Sequence, residues 1–209
     1  MDTLFPRQRA VVAPGAVHVP GWLSAARQRE LVAACREWGR GPVPYRHIVL
    51  PGGGVMSVQS LGLGRRWVPY RYVDDVAVEL PSWLADLGRA AVAEAYGDDG
   101  GYAPDTAFVN YYDAGAGAKM GLHQDKDERS GAPVVSLSLG DRCVFRFGNT
   151  ETRGKPYTDV ELASGDLFVF GGASRFAYHG VPKVLAGTAP PDLGLAGRLN
   201  ITLRETGLP

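Results

Sequence analysis

The stretch at residues 122–128, LHQDKDE, decides how this chain is interpreted, because it places a histidine and an aspartate two positions apart. A second histidine follows within residues 178–180, YHG. Two imidazoles and one carboxylate can bind Fe(II) on one face and leave the opposite coordination positions open. We therefore predict that His123, Asp125 and His179 bind an iron ion.

The spacing of His123 and Asp125 is a weak signal in isolation, since the chain contains four histidines and fourteen aspartates. On an extended segment, side chains alternate between faces with period two, so both ligands of an HxD pair point to one side. His179 must then arrive from a different strand. The apolar run at residues 166–170, DLFVF, and the two glycines after it predict a strand followed by a break.

The stretch at residues 198–204, RLNITLR, gives a second and independent signal. In a strand, one face would be apolar and the other would carry Arg198, Asn200, Thr202 and Arg204. An edge strand with a solvated polar face is the ordinary interpretation. Because the metal ligands already indicate a cosubstrate, we instead expect this face to line a barrel, where two arginines bind a dicarboxylate. Iron with a dicarboxylate indicates a dioxygenase that consumes 2-oxoglutarate and O₂.

The remaining patterns predict two helices followed by a run of strands. Residues 24–38 begin at a serine suited to an N-cap and stop before Gly39, and residues 82–96 stop before Gly97. Helices before a run of strands indicate an α+β protein with a packed, partly closed β architecture. The predicted strands are FVNYY (108–112), PVVSLSL (133–139), CVFRF (143–147), TDVEL (158–162), DLFVF (166–170) and RLNITLR (198–204).

Length and composition are those of one generous domain, since 209 residues that are 45% hydrophobic can bury a sizeable core without crosslinks. We expect a single domain over residues 1–209 and a monomer. Cys35 and Cys143 lie in unrelated settings, so we expect buried thiols in a reducing compartment rather than a disulfide. Neither a signal peptide nor a long apolar run is evident, so we expect a soluble, cytoplasmic protein without membrane contact.

The formal net charge is zero, whereas strong nucleic-acid binders are usually basic. The charge is nevertheless uneven along the chain. Within residues 65–72, three arginines alternate with Trp67, Tyr70 and Tyr72. Such a mixture of cations and aromatic rings suits a phosphate backbone and an unstacked base. A solvated loop with incidental aromatic residues is the alternative interpretation of this segment.

Taken together, these motifs resemble the AlkB family of nucleic-acid dealkylases. The likeness runs from about residue 49 to residue 205, is strongest to the bacterial members, and rests above all on HQDKDE joined to RxNxTxR. Its other motifs are VLPGGGVMSV (49–58), NYY (110–112), PVVSLSLG (133–140), CVFRFG (143–148) and GGASRFAYHG (171–180). The resemblance implies a double-stranded β-helix (jelly-roll) core at about residues 106–205, preceded by N-terminal helices and a nucleotide-recognition lid at about residues 45–105.

The same resemblance implies an activity and a cofactor. The activity would be oxidative dealkylation of N-alkylated bases, such as N1-methyladenine and N3-methylcytosine, in alkylated DNA and, as an open alternative, in RNA. The cofactor would be Fe(II), with 2-oxoglutarate and O₂ as cosubstrates. Formaldehyde, succinate and CO₂ would be released.

For the cosubstrate, the resemblance implies a clamp on each carboxylate. Arg204 with Asn110 would hold the end of 2-oxoglutarate near the metal. Arg198 with Tyr112 would hold the distal carboxylate, and Asn200 would support the site.

For the damaged base, the resemblance implies a stacked pocket. Trp67 and His123 would sandwich the ring, while Asp127 would accept a hydrogen bond from its exocyclic amino group. Both methylated rings are cationic, so a carboxylate also favours their charge. Further residues would line the substrate and its phosphate: Met56, Glu128, Arg153 and one of Tyr70 or Tyr72.

Two other functions are compatible with the motifs. The same iron chemistry could act on a small molecule or a protein, since only VLPGGGVMSV, Trp67 and residues 127–128 favour a nucleic acid. A catalytically silent barrel that binds a metal or a nucleic acid is the third interpretation, although every expected ligand is present. The sequence leaves open DNA against RNA, single against double strands, and the range of alkyl adducts.

Overall fold

The computed structural model describes residues 7–73 and 75–208, and that part of the chain contains two helices and fourteen strands. Helix α1 spans Ala25–Arg40 and helix α2 spans Ser82–Tyr96. Neither α1 nor α2 combines the length and the apolar character that a membrane-spanning helix needs. The strands are β1 (Ala10–Ala13), β2 (Ala16–Val19), β3 (Arg46–Val49), β4 (Val55–Gly64), β5 (Arg66–Val68), β6 (Arg71–Val73), β7 (Thr106–Tyr112), β8 (Met120–His123), β9 (Val134–Gly140), β10 (Arg142–Gly148), β11 (Tyr157–Leu162), β12 (Leu167–Phe170), β13 (His179–Leu185) and β14 (Arg198–Arg204).

Backbone hydrogen bonds join these strands into two antiparallel sheets and one separate hairpin. The large sheet has the order β1-β2-β12-β9-β14-β7-β4-β3, and the small sheet has the order β11-β10-β13-β8. Strands β5 and β6 form a hairpin outside both sheets. Two antiparallel sheets that pack face to face with crossing connections constitute a jelly roll. This architecture, with its two helices, confirms the predicted α+β class and its double-stranded β-helix core.

Alternation along the strands divides the interior into two layers. On β14, Leu199, Ile201 and Leu203 pack with apolar residues of α1 and α2 in one cluster. The polar residues of β14 therefore point to the opposite side, into the space between the two sheets. A second cluster occupies that space and is rich in aromatic side chains: Phe145, Phe147, Phe168 and Phe170. The functional residues of β14 thus lie between the sheets, as the sequence predicts.

All six predicted strands are present, with ends shifted by at most two residues. Helix α2 ends as predicted, at Gly97 with a left-handed φ of 95°. Helix α1 begins at the predicted Ser24 cap, but Gly39 lies inside it and Gly41 ends it, which corrects the predicted stop. The glycine at position 39 serves packing instead, because a Cβ there would lie 2.7 Å from the Tyr45 ring.

The N-terminal part of the chain contributes strands to the large sheet, which corrects the predicted division near residue 106. β2 pairs with β12 through Val19 and Leu167, and β4 pairs with β7 through Leu61 and Val109. Helix α1 lies before residue 45, where residues 24–38 predict it, and so precedes the segment that the resemblance assigns to the helices. The physical reason is that unpaired strand edges need partners, and the early strands supply them. Between residues 45 and 105, hairpin β5–β6 stays outside both sheets.

A buried carboxylate joins the N-terminal segment to the turn before β12. Asp166 is inaccessible to solvent and accepts hydrogen bonds from Arg7, His18 and the backbone N–H groups of Gly21 and Ala163. Burial raises the pKa of Asp166, but these hydrogen bonds outweigh it and hold the pKa below its ordinary value. The folded state therefore favours the ionised carboxylate.

We predict that Asp166→Asn lowers the free energy of unfolding at pH 7 by about 3 kcal/mol, because it leaves buried donors without a charged acceptor. Since the folded pKa lies below the unfolded value, the wild-type carboxylate stabilises the fold above about pH 4 and loses that effect as the pH falls. Urea unfolding at pH 7 and pH 3 measures both quantities. The exposed Asp192→Asn is the control and should change stability by less than about 0.5 kcal/mol. An equally large loss at both pH values would contradict the ionic contribution.

Candidate metal and cosubstrate site

The antiparallel pairing of β8 with β13 brings the two predicted histidine ligands together. His123 and His179 are register partners across these strands, and their ring centroids are 4.5 Å apart. Gly180 follows the second ligand at a point of close backbone approach, where a Cβ would lie 2.7 Å from the carbonyl oxygen of Met120. The glycine of the YHG motif is therefore required by the packing of the ligand strands.

Asp125 completes the cluster from the loop that follows β8. One of its carboxylate oxygens is 3.6 Å from Nε2 of His123, and the other is 3.7 Å from Nε2 of His179. All three ligand atoms lie within 4.8 Å of one another, which suits a single metal ion. Because β8 ends at His123, this loop rather than a shared strand face determines where the carboxylate lies.

Backbone carbonyl groups fix the orientation of both imidazole rings. Nδ1 of His123 lies 2.9 Å from the carbonyl oxygen of Gly121, and Nδ1 of His179 lies 3.0 Å from that of Ala177. A carbonyl oxygen can only accept a hydrogen bond, so each Nδ1 carries the proton. Each Nε2 lone pair is consequently available to a metal.

The electrostatics of the cluster favour the protonation states that metal ligands require. Burial, together with the neighbouring His123, lowers the pKa of His179 to about 4, so this imidazole is neutral near pH 7. Burial raises the pKa of Asp125, but Arg204 and the two histidines outweigh that effect and hold it well below its ordinary value. An ionised carboxylate and a neutral imidazole are thus in place before a metal binds.

Arg204, the last residue of β14, is paired with the aspartate ligand. Its Nε and Nη2 atoms lie 2.9 Å and 2.7 Å from Oδ2 of Asp125. Burial lowers the pKa of Arg204, but Asp125 and the neighbouring Tyr72 and Glu128 outweigh it and raise the pKa above its ordinary value. The guanidinium therefore stays charged beside the metal ligand, where it can also meet a carboxylate of the cosubstrate.

Arg198 begins the same strand and is only partly satisfied by the protein, although just 1% of its surface is exposed. Its Nη2 donates to the Ser138 hydroxyl at 3.0 Å, whereas Nε and Nη1 have no hydrogen-bond partner within residues 7–73 and 75–208. A buried cation with free donors requires an anion. The cavity that contains His123 and His179 also contains Arg198 and Tyr112, so a carboxylate could reach these donors from the metal side.

Two asparagines predicted for the cosubstrate site face each other on neighbouring strands, Asn110 of β7 and Asn200 of β14. The Ser60 hydroxyl donates to Oδ1 of Asn110 at 2.6 Å, which leaves the amide nitrogen for a ligand. The amide of Asn200 instead donates to the Ser136 hydroxyl and the Leu137 carbonyl oxygen. Asn110 can therefore contact a cosubstrate, whereas Asn200 holds neighbouring strands together.

Hairpin β5–β6 is tied to the loop after Asp125 by two side-chain hydrogen bonds. The indole N–H of Trp67 donates to Oδ2 of Asp127 at 2.8 Å, and the hydroxyl of Tyr72 donates to Oε1 of Glu128 at 2.8 Å. Trp67 and Tyr72 are cross-strand partners, so their side chains share one face of the hairpin. Two residues predicted to hold the substrate, Trp67 and Asp127, are thus in direct contact beside the metal ligands.

The structure distinguishes the two tyrosines that the sequence leaves unresolved. Tyr72 reaches the site, whereas Tyr70 lies in the hairpin turn, is 63% exposed and has a left-handed φ of 72°. Met56 shares the inward face of β4 with Val58 and Ser60, by the alternation of strand residues. Arg153 is exposed in the loop after β10 and makes no hydrogen bond or ion pair in the described part of the chain.

Glu128 and Arg175 differ most from the sequence interpretation. Glu128 was expected to line the substrate, but it is 9% exposed and other side chains bind both of its oxygens. Arg175 was not predicted at all, although it is 2% exposed and donates to the backbone carbonyl oxygen of Asp125 at 2.6 Å. A single charged residue within the otherwise uncharged stretch before His179 was the available signal.

Comparisons with known proteins agree with this geometry. The model of the 2OG-Fe(II) oxygenase superfamily matches residues 15–204. The alpha-ketoglutarate-dependent dioxygenase AlkB homolog of Caulobacter vibrioides is 38% identical over 93% of this chain and 89% of its own length. The AlkB dioxygenase of Escherichia coli is 38% identical over 78% of each chain.

Plant proteins are also similar. The DNA N(6)-methyladenine demethylase ALKBH1D of Arabidopsis thaliana is 33% identical over 93% of this chain, which spans half of that protein's length. The solved structure of OsALKBH1 superposes with a TM-score of 0.83 and 32% identity, and covers 94% of this chain and 100% of that one.

The fold and the site thus define an Fe(II)- and 2-oxoglutarate-dependent oxygenase. The chain belongs to the 2OG-Fe(II) oxygenase superfamily and, within it, to the AlkB family, as its motifs indicate. It is an enzyme whose cofactor is Fe(II) and whose cosubstrates are 2-oxoglutarate and O₂.

The residues present fit these groups. The triad supplies two imidazole nitrogens and a carboxylate, and the unsatisfied donors of Arg198 fit the distal carboxylate of 2-oxoglutarate. Arg204 and Asn110 would hold the end nearer the metal. When bound, Fe(II) and 2-oxoglutarate supply the oxidising power, while the protein binds, orients and shields the reactants.

We predict that His123→Ala, Asp125→Ala or His179→Ala abolishes turnover and lowers Mn(II) affinity by more than about 100-fold, because losing even a partner of a ligand costs about 10- to 100-fold. Calorimetric titration with Mn(II) and succinate formation measure the two effects. His47→Ala is the matched control, since its exposed imidazole contacts the Met56 carbonyl oxygen. Wild-type Mn(II) affinity in any triad variant would remove that residue from the ligand set.

We predict that Arg198→Lys raises the KM for 2-oxoglutarate by roughly 10- to 100-fold, because an ammonium cannot reproduce the planar fork and a charged hydrogen bond is lost. The same variant should lose most of the rise in melting temperature that 2-oxoglutarate with Mn(II) gives the wild type. Arg142→Lys, on the exposed side of β10, should leave both quantities unchanged. An unaltered KM would show that Arg198 does not bind the cosubstrate.

Proposed function

We propose that this enzyme removes alkyl groups from nucleic-acid bases by oxidising the alkyl carbon. The proposal rests on the paired Trp67 and Asp127 beside an oxygenase centre. An aromatic face and a carboxylate that act together suit a cationic aromatic ring, and neither is needed for oxygen activation. The relatives in Caulobacter vibrioides and Escherichia coli are named AlkB dioxygenases, and the relative in Arabidopsis thaliana is named a DNA demethylase, which supports the same class of reaction.

The hydrogen bond between Trp67 and Asp127 orients both groups for a base. The indole N–H occupies Oδ2, while Oδ1 has no partner among the residues that the structure describes. Oδ1 can therefore accept a hydrogen bond from an exocyclic amino group. Phe108 packs against the indole in a T-shaped arrangement, with 5.7 Å between the ring centroids. This contact helps to hold the indole in place for stacking on a base.

A groove alongside the hairpin supports a polynucleotide rather than a free small molecule. Its lining includes Trp67 and Phe108, together with Arg46 and with Arg66, which is ion-paired with Asp75 of the same groove at 2.6 Å. Phosphate groups of a strand prefer such cations, while a single base reaches the aromatic rings. A base can reach the metal only after it leaves the stack, and a lesion that blocks pairing lowers that cost.

Hydroxylation of the alkyl carbon is sufficient for dealkylation, because the hydroxylated product breaks down without further oxidation. A methyl group on nitrogen becomes a hydroxymethyl group, whose carbon–nitrogen bond then breaks to give formaldehyde and the unmodified base. N1-methyladenine and N3-methylcytosine carry the positive charge that the Asp127 carboxylate favours. We therefore propose these two methylated bases in DNA as the preferred substrates, with RNA as the alternative polymer. We also propose that the active species is a monomer.

N6-methyladenine is the second candidate substrate, because the Arabidopsis thaliana relative is named a DNA N(6)-methyladenine demethylase. That base is neutral, so a carboxylate gives it no charge stabilisation. A small molecule or a protein side chain is the third candidate. Turnover of these three candidate substrates should depend to different degrees on Trp67 and Asp127.

We predict that Trp67→Ala and Asp127→Ala each reduce demethylation of an N1-methyladenine oligonucleotide by about 5- to 150-fold, since a stacked base or a charged hydrogen bond is lost. At saturating Fe(II), succinate formation without substrate should largely persist. The measurement compares DNA and RNA oligonucleotides carrying N1-methyladenine, N3-methylcytosine or N6-methyladenine, with product masses and succinate determined together.

Trp83→Phe is the matched control, because Trp83 stacks on Trp38 of helix α1, away from the metal ligands. Wild-type repair by both Trp67→Ala and Asp127→Ala would refute the base pocket and favour another substrate class. Turnover of N6-methyladenine alone would instead select the second candidate.

A further inference from the structure

A buried polar network connects hairpin β5–β6 to the metal ligand, and Glu128 is at its centre. Three side chains from separate parts of the chain approach its carboxylate. Tyr72 donates to Oε1 at 2.8 Å, Arg175 donates to Oε2 at 3.1 Å, and Nε of Arg204 lies 3.6 Å from Oε1. A buried charge depends on such partners, because losing one leaves it uncompensated.

Arg175 uses every branch of its guanidinium to hold the loop that carries Asp125. Nε donates to the carbonyl oxygen of Ala132 at 2.6 Å, Nη1 to that of Asp125 at 2.6 Å, and Nη2 to Glu128. The planar guanidinium group therefore contacts Asp125, Glu128 and Ala132, three positions spread along the loop between β8 and β9. Arg175 also lies four residues before His179, so it links the segments of two metal ligands.

Arg204 lies between two carboxylates, those of Asp125 and Glu128, and its distance from each affects how the metal ligand Asp125 is oriented. It lies close to Asp125, with 2.7 Å between Nη2 and Oδ2, and farther from Glu128. The hydroxyl of Tyr72 partly satisfies Glu128 from the other side. If that hydroxyl withdraws, Oε1 loses a donor and Arg204 is the nearest cation that can replace it.

We propose that Glu128 and Arg175 are positioning residues that transmit the position of hairpin β5–β6 to the pair formed by Arg204 and Asp125. When the hairpin is seated, Tyr72 holds Glu128 and Arg204 remains on Asp125. When the hairpin lifts, Glu128 attracts Arg204 and the carboxylate ligand loses its fixed orientation. The metal site is therefore fully formed only beneath a seated hairpin, which is the element that carries Trp67.

This coupling gives the enzyme a way to match oxygen chemistry to substrate. A base held against Trp67 also holds the hairpin down, so Asp125 and Arg204 are aligned while a target is present. Without a target, the hairpin keeps the hydrogen bonds of Trp67 and Tyr72 but lacks the added contact with a base, so it is held less firmly. The inference about the metal site rests on the oxygenase centre and does not depend on which base is the substrate.

The test is the Mn(II) affinity of the metal-free full-length protein, measured by calorimetric titration without cosubstrate or nucleic acid. Tyr72→Phe should lower this affinity about 3- to 30-fold, the size of effect expected for a mutation along a coupling network. Arg175→Lys should lower it about 10- to 100-fold, because it removes an outer partner of the ligand. In the double variant the combined loss should be smaller than the product of the two losses, since both substitutions act on Glu128 and only Arg175 also reaches Asp125 directly.

Tyr96→Phe is the matched control, because the hydroxyl of Tyr96, at the end of helix α2, also makes one hydrogen bond, to the Gly15 carbonyl oxygen in the turn between β1 and β2. It should leave Mn(II) affinity unchanged. Urea unfolding of each metal-free variant distinguishes a structural role from a positioning role. A purely structural role would lower the free energy of unfolding without changing the Mn(II) affinity of the folded protein. If Arg175→Lys does not fold, Glu128→Gln replaces it in the cycle.

Unchanged Mn(II) affinity in Tyr72→Phe would overturn the proposal, and so would losses that simply multiply in the double variant. A second readout is succinate formation without substrate at subsaturating Fe(II), which should fall in Tyr72→Phe because the metal site is less fully formed when the hairpin lifts. Because the metal titration contains no substrate, its result stands even if the proposed dealkylation is wrong.

Discussion

The buried ion pair between Arg204 and Asp125 is the interaction on which the rest of the site depends. It joins the last strand of the large sheet to the loop that follows a strand of the small sheet, so it fixes the metal ligand relative to both layers of the jelly roll. Neither charge could be buried alone without a large desolvation cost. The pair therefore keeps a carboxylate ionised inside an otherwise aromatic interior, which is the condition for binding a divalent metal.

The alternation of strand residues explains how one strand can serve both the core and the chemistry. On β14, Leu199 and Ile201 pack under the helices, while Arg198 and Arg204 enter the space between the sheets about 20 Å apart along an extended chain. Strand twist and side-chain reach bring both guanidinium groups to one cavity. The unsatisfied donors of Arg198 then give the apoprotein a site whose missing partner is an anion.

Hairpin β5–β6 lies outside the two core sheets and, under the proposed function, is the element that would contact the substrate. It pairs with neither sheet and is attached beside the metal by Trp67 and Tyr72, which bind the neighbouring residues Asp127 and Glu128. Few buried apolar contacts hold such an element, so it is suited to move while the sheets remain rigid. Under the proposed function, recognition and oxygen chemistry would meet in the one loop after β8 that carries Asp125, Asp127 and Glu128.

The sequence by itself determined the strands with alternating side chains, helix α2, the candidate metal ligands and the polar face of β14. Each of these follows from local spacing or from residue chemistry. It could not locate the end of α1, which depends on the Tyr45 ring packed against Gly39. It also assigned Glu128 to the substrate and overlooked Arg175, since a charged residue looks the same in sequence whether water or a buried partner satisfies it. Only the tertiary structure brought Tyr72, Glu128, Arg175 and Arg204 together, because their contacts join strands far apart in the chain.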